Sequence, residues 1–190
     1  MTRYIKKTNL ISGLIVAFFT FFIALLVSLG SEVLMRAVNN VIVAIILLLI
    51  VIFMGISFDI IGTAATAAEI APFNARAAKK VFGAKQAVKI TGNAHLMANF
   101  CNDVIGDIAG TLSGAIGAGI VVTLAGRFAF LDLILAGAVM TSLVAAMTVG
   151  GKAIGKSLAV KYANNIIFKV AIIIAWWEKV SGMELFKGRR

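Results

Sequence analysis

Apolar residues fill four stretches that are each long enough to cross a bilayer, at about 10–30, 41–62, 97–124 and 131–151. Each predicts a transmembrane α-helix, and the short turn Gly126–Leu131 makes the third and fourth an antiparallel hairpin. Between the second and third lies A-P-F-N-A-R-A-A-K-K-V-F-G-A-K-Q-A-V-K, which carries too much charge to cross. Pro72 stops the preceding helix or begins the next. Val81, Phe82, Ala84 and Val88 give this segment an apolar face, and Arg76, Lys79, Lys80, Lys85 and Lys89 a basic one. The pattern predicts an amphipathic helix at about 72–90 lying on an anionic leaflet. After the fourth stretch, the apolar run Val170–Trp177 is too short to span and is bracketed by Lys169 and Glu178. With Trp176 and Trp177 as interface anchors, it predicts a second surface helix at about 160–180.

Composition narrows the class. The chain has 190 residues, 61% of them hydrophobic and 14% charged, with a single proline. A soluble domain of this size cannot hide so much apolar surface. The expected fold is therefore all-α: one polytopic membrane helical bundle over residues 1–190, with four spans and juxtamembrane amphipathic helices. The formal charge of +10 invites a nucleic-acid reading, but its placement removes that support. Of the 18 lysines and arginines, only Arg36 and Arg127 fall in the two short loops on one side of the predicted bundle. The rest lie in the N-terminal tail, in the 76–89 segment or after Gly151. By the positive-inside rule both termini face the cytoplasm, in a cell (plasma) membrane of bacterial type. The basic N-terminus superficially resembles a signal peptide. Its apolar stretch is longer than an h-region and lacks a small-residue cleavage site, so it reads as the first span. Cys101 is alone and specifies no disulfide.

The third stretch carries the most information. From Asn99 to Gly119 it runs N-F-C-N-D-V-I-G-D-I-A-G-T-L-S-G-A-I-G-A-G. On a helix, Asn99, Asn102, Asp103, Gly106, Asp107, Gly110, Ser113, Gly114 and Gly117 fall on one face. Cys101, Val104, Ile105, Ile108, Leu112 and Ile116 fall on the other. Gly106, Gly110 and Gly114 form G-x-x-x-G-x-x-x-G, a groove for close helix packing or a homodimer interface. Asn102, Asp103 and Asp107, with Asn99 one turn earlier, supply the amide and carboxylate oxygens that hard cations prefer. The other reading of these groups is a buried hydrogen-bond or salt-bridge network that holds helices in register.

Depth extends the cluster. If the third span enters near Leu96, Asp103 lies on the order of 10 Å inside, at about 1.5 Å per residue. Asp59 on the second span and Lys152 at the end of the fourth fall at a similar level. Lys152 either snorkels to the headgroups or neutralises a carboxylate where an ion would otherwise sit. His95 has no ligand partner at suitable spacing and reads as interfacial, Cys101 reads as packing, and Glu69 as a cap or an ion-pair partner. No arrangement of catalytic residues is present, so the chain is not expected to be an enzyme.

From about Val41 to Val180 the order of elements resembles the transmembrane domain of the CNNM/CorC family. It is carried by G-T-A-A-T-A-A-E, the basic segment, N-D-V-I-G-D and G-K-A-I-G-K-S-L-A-V-K-Y-A. The family's middle-span motif, I-G-N-T-L-V-N in outline, is similar to F-C-N-D-V-I-G here, aligning Asn102 and Gly106 with its two asparagines. Its G-E-x-x-P-K-S element resembles Gly151–Ser157, with Lys156 and Ser157 matching. The resemblance implies a three-span dimeric domain with a helical juxtamembrane belt, acting on magnesium and other divalent cations. Three departures stand out: Lys152 replaces an acidic residue, Gly155 a proline, and Ala65 a glutamate. No CBS pair or CorC domain follows within these residues, and one predicted span is added in front.

Two functions from different classes follow. The first is ion translocation through Asn99, Asn102, Asp103, Asp107 and Asp59, with Asn102, Asp103 and Asp107 as metal ligands and Mg2+ or Na+ as candidate bound ions. The second is a noncatalytic scaffold or partner subunit with the transporter fold and a lysine-inactivated site. The partners expected are anionic lipid, a second copy of the chain, and a membrane or cytosolic protein.

Overall fold

The computed structural model describes residues 13–15, 17–26, 28–29, 40–128 and 130–183. Among them every regular element is a helix. α1 covers Gly13–Leu26, α2 Val41–Ala67, α3 Ile70–Ala78, α4 Ala84–Gly92 and α5 Ala94–Asn99. A π-helical turn, Phe100–Ile105, joins α5 to α6 (Gly106–Arg127), and α7 (Leu133–Lys161) and α8 (Ala163–Ser181) complete the chain. Three helices are long and apolar enough to cross a membrane: Val41–Ala67, Ala94–Arg127 and Leu133–Lys161. Most of their large apolar side chains are exposed, including Ile42, Phe53, Val122, Ile134 and Ile154. That is the surface expected of a chain solvated by lipid. Of the expected first span, residues 13–15, 17–26 and 28–29 are described and helical, and its other positions lie outside the described residues.

Local chemistry sets the helix ends. Asn40 Oδ1 accepts from the Ile42 N–H at 2.9 Å and opens α2, and Asp132 Oδ1 accepts from the Leu135 N–H at 2.8 Å and opens α7. Mid-helix hydroxyls of Ser57, Thr91, Thr123 and Thr148 donate to the carbonyl four residues back, so they present no orphan donor to lipid.

The single surface helix expected at 72–90 is instead two helices. α3 ends in a Schellman turn: the Lys80 N–H donates to Ala77 O at 2.9 Å and the Val81 N–H to Arg76 O at 3.1 Å. Lys80 then takes φ 56°, and Gly83, at φ 82°, starts α4. A Cβ on Gly83 would lie 3.0 Å from the Ile172 Cα, so only glycine lets this turn close onto α8. The second expected surface helix, 160–180, corresponds to α8. Lys152 and Lys156 lie inside α7, which continues ten residues beyond the expected end at 151, to Lys161.

The chain divides into two compact units. One comprises Met1–Leu49 and Thr111–Thr141; its buried side chains include Ala44, Leu48, Leu112, Ile116, Ile120 and Val121. The other comprises Ile50–Gly110 and Ser142–Arg190 and holds the candidate site. Its core joins Ala64, Ala65, Phe73, Ala87, Ile90, Ala159, Ala163, Ile167 and Ala171. α8 contributes a four-residue repeat of small and branched residues, Ala163, Ile167, Ala171 and Ala175, and packs on α4. Arg76 lies 4.4 Å from the Phe168 ring centre, and Asn164 Oδ1 accepts from the Glu69 N–H at 2.9 Å, tying the start of α3 to α8. Glu69 precedes α3 without a side-chain cap bond.

Candidate functional site

The second unit is assembled on glycine notches. Along α2, Val51, Ile52, Gly55, Asp59 and Gly62 form one buried stripe. A Cβ on Gly55 would come within 2.9 Å of Ala109 Cβ, and one on Gly62 would meet the Asn102 side chain. These contacts run α2 antiparallel to the α5–π–α6 helix. On α7, a Cβ on Gly151 would strike Ile56 and one on Gly155 would sit 2.7 Å from Ile60 Cγ1. α7 therefore runs parallel to α2, with two isoleucines seated in a small-residue groove that Ala159 extends. This groove was not singled out from sequence, although G-x-x-x-G-x-x-x-A at 151–159 is its plain signature. In the expected groove, Gly110 and Gly114 have nothing within 4 Å of an added Cβ. Within the described chain those two glycines admit no neighbour.

The packing brings three polar side chains to one level. Asp59 is buried, and the Lys152 Nζ lies 3.8 Å from its Oδ1, with the two side chains 24% and 6% exposed for lysine and aspartate respectively. The same ammonium lies 3.6 Å from where a Gly106 Cβ would be. Lys152 thus turns toward Asp59. Asn102, one turn before Gly106, rests against Gly62, one turn after Asp59. Asp59 Oδ2 and Asn102 Oδ1 are both buried without a hydrogen-bond partner. Two orphaned oxygens in a low-dielectric setting are costly, and a cation or a bound water is what their chemistry accepts.

Asn99, Asp103 and Asp107 are exposed, on the outward side of the same helix. The structure pairs Asp59 with Lys152 and sets Asn102 against Gly62 of the same helix as Asp59. Among the described residues no three His, Cys, Asp or Glu side chains converge as metal ligands. Cys101 is buried and free, as the packing reading of the sequence has it. The π-helical turn lies at this position: the Gly106 N–H bonds to Cys101 O, five residues back. Such turns concentrate where a helix is locally reshaped around a polar site.

Fold and site together define a class: a chain helical in all regular elements of its described residues, with three helices able to span a membrane and an ion pair, Asp59–Lys152, joining two of them. Comparison with protein-family models, curated proteins and solved structures found no match to this chain.

Proposed function

We propose that the protein is a membrane-embedded cation-binding domain of transporter type, similar to the CNNM/CorC transmembrane domain. Asp59 and Asn102 contact the ion, and Lys152 acts as a tethered counter-charge that the ion displaces. One observation carries this reading: two buried oxygens without a hydrogen-bond partner, Asp59 Oδ2 and Asn102 Oδ1, come from two packed helices, and the Lys152 ammonium lies beside the other oxygen of Asp59. Mg2+ is commonly held by one or two protein carboxylates with water completing its shell, so so small a donor set suits it better than an all-protein cage. Asn99, Asp103 and Asp107 then belong to the outward face, where lipid would be a poor neighbour for carboxylates, and a second copy of the chain is the partner this reading assigns there. On this reading both termini lie on the cytoplasmic side of a cell membrane, which the positive-inside pattern of the lysines and arginines supports.

A second reading is favoured by the ion pair itself. Lys152 lies within ion-pair distance of one oxygen of Asp59, and Ala65, at the family's glutamate position, is wholly buried in apolar packing. A scaffold with an inactivated site has this arrangement too.

Calorimetric titration of Mg2+ into nanodisc-embedded protein separates the two. Cation binding predicts weak saturable uptake by the wild type, tightened about tenfold or more in Lys152→Gln and abolished in Asp59→Asn. Absence of saturable binding in the wild type and in Lys152→Gln, with both folded by circular dichroism, leaves the scaffold.

A further inference from the structure

The break between α3 and α4 holds a feature that the cation reading does not use. A cavity of about 480 Å³ opens there, lined by Lys80, Phe82, Lys85 and Gln86 from the belt, by Ala77, and by Ala175 of α8. Its size falls in the range of small-molecule sites. Lys80 occupies the left-handed C′ position of the Schellman turn, with φ 56°. Glycine is the residue that position favours, so a lysine there is held against a backbone preference. Lys85 supplies a second charge from the first turn of α4. No carboxylate lines the cavity. The nearby Glu178 accepts a hydrogen bond from the Gln86 amide at 2.9 Å.

The surroundings identify the kind of anion. Val81 and Phe82 are exposed beside the two lysines, and Trp176 and Trp177 are exposed on α8 immediately after Ala175. Basic groups interleaved with exposed aromatic and aliphatic ones, next to a tryptophan pair, mark the headgroup level of a bilayer. A soluble phosphate has no use for the apolar half of this lining. We propose that the cavity binds the phosphate headgroup of a single anionic phospholipid, with Lys80 and Lys85 on the phosphate and Val81 and Phe82 beside the acyl chains. This goes beyond a diffuse basic surface: it is one site, on two named lysines, independent of the ion centre.

The chain's two tryptophans, Trp176 and Trp177, provide the readout. Full-length protein in neutral detergent is titrated with dansyl-labelled phosphatidylglycerol, and energy transfer from tryptophan is followed. Saturable transfer is expected, displaced by unlabelled phosphatidylglycerol and not by phosphatidylcholine. Lys80→Gly and Lys85→Gln should each weaken binding about fivefold, the weight of one lysine near an anionic surface. Lys80→Gly should melt no lower than wild type, because glycine accepts the left-handed backbone, so its loss of binding is not a loss of fold. Equal binding by wild type and both variants would overturn the site. So would equal competition by phosphatidylcholine, and displacement of the lipid by millimolar inorganic phosphate would assign the cavity to a soluble anion instead.

Discussion

The helix from Ala94 to Arg127 presents two polar faces that fare very differently. Asn102 and Gly106, together with Ala98, Cys101 and Ala109, turn inward toward α2 and Lys152. Asn99, Asp103 and Asp107, their immediate neighbours in the helical projection, turn outward. A single broad stripe in sequence is therefore split lengthwise. What sets the inward side is the opposing helix: Gly55 and Gly62 allow α2 to approach Ala109 and Asn102, whereas Asp103 is exposed. In this protein a polar residue's burial follows from the small residues facing it more than from its own helical angle. The inward face packs on α2, which carries one deep carboxylate, Asp59, paired with Lys152 of α7, and the outward face carries two exposed carboxylates of its own.

The largest test of this contrast is charge removal. Lys152→Met leaves Asp59 as a buried carboxylate without its counter-ion. It should cost about 3 kcal/mol, the low end for stripping one partner from a buried pair, since the ammonium is 24% exposed. Adding Asp59→Asn should restore much of that loss, a coupling readable from a double-mutant cycle of thermal or denaturant unfolding in detergent. Asp103→Asn, by contrast, should stay within about 0.5 kcal/mol of wild type, as surface substitutions do. Equal losses at 152 and 103 would erase the distinction between the faces.

A smaller effect probes the same boundary through volume. Gly62→Ala drives a methyl group into the Asn102 side chain and to 3.1 Å from Cys101 Cβ. Overpacking of this kind costs about 1–3 kcal/mol. Asn102→Ala in the same background should relieve it, because the atoms in the way are those of the asparagine. Failure of that rescue would mean that α2 and the third helix meet elsewhere.

Much of the architecture was legible in the sequence. Hydropathy alone located the three long helices, and the tryptophan pair with flanking charges located α8. Rise per residue groups Asp59, Asp103 and Lys152 by depth; the structure pairs Asp59 with Lys152 and sets Asn102, rather than Asp103, against α2. Three things were not legible. The split of the 72–90 segment depends on Lys80 adopting a left-handed backbone, which propensity assigns to glycine. The inward or outward sense of Asp103 and Asp107 depends on which helix packs against them, and periodicity gives only their angular position. The groove Gly151–Gly155–Ala159 was overlooked because the richer glycine series at 106–114 drew the packing assignment, although both series have the same spacing. Small-xxx-small patterns mark where a helix can be approached, and only the partner shows where it is.

Those two glycine series provide the smallest and sharpest comparison. Gly155 is closed by Ile60, so a methyl there must displace a branched side chain, whereas Gly110 has open space where its methyl would go. Gly110→Ala should therefore raise the stability of the isolated chain by about 0.5 kcal/mol, the entropic gain of replacing glycine inside a helix. The same substitution has the opposite effect if a second copy of the chain packs on this face, because the added methyl would hold the two backbones apart. Unfolding of dilute detergent-solubilised protein, read beside its oligomeric state by light scattering, gives both quantities at once. A more stable variant with unchanged mass assigns Gly110 to lipid. A variant that loses a dimer present in the wild type makes the outward face, carboxylates included, an interface between copies.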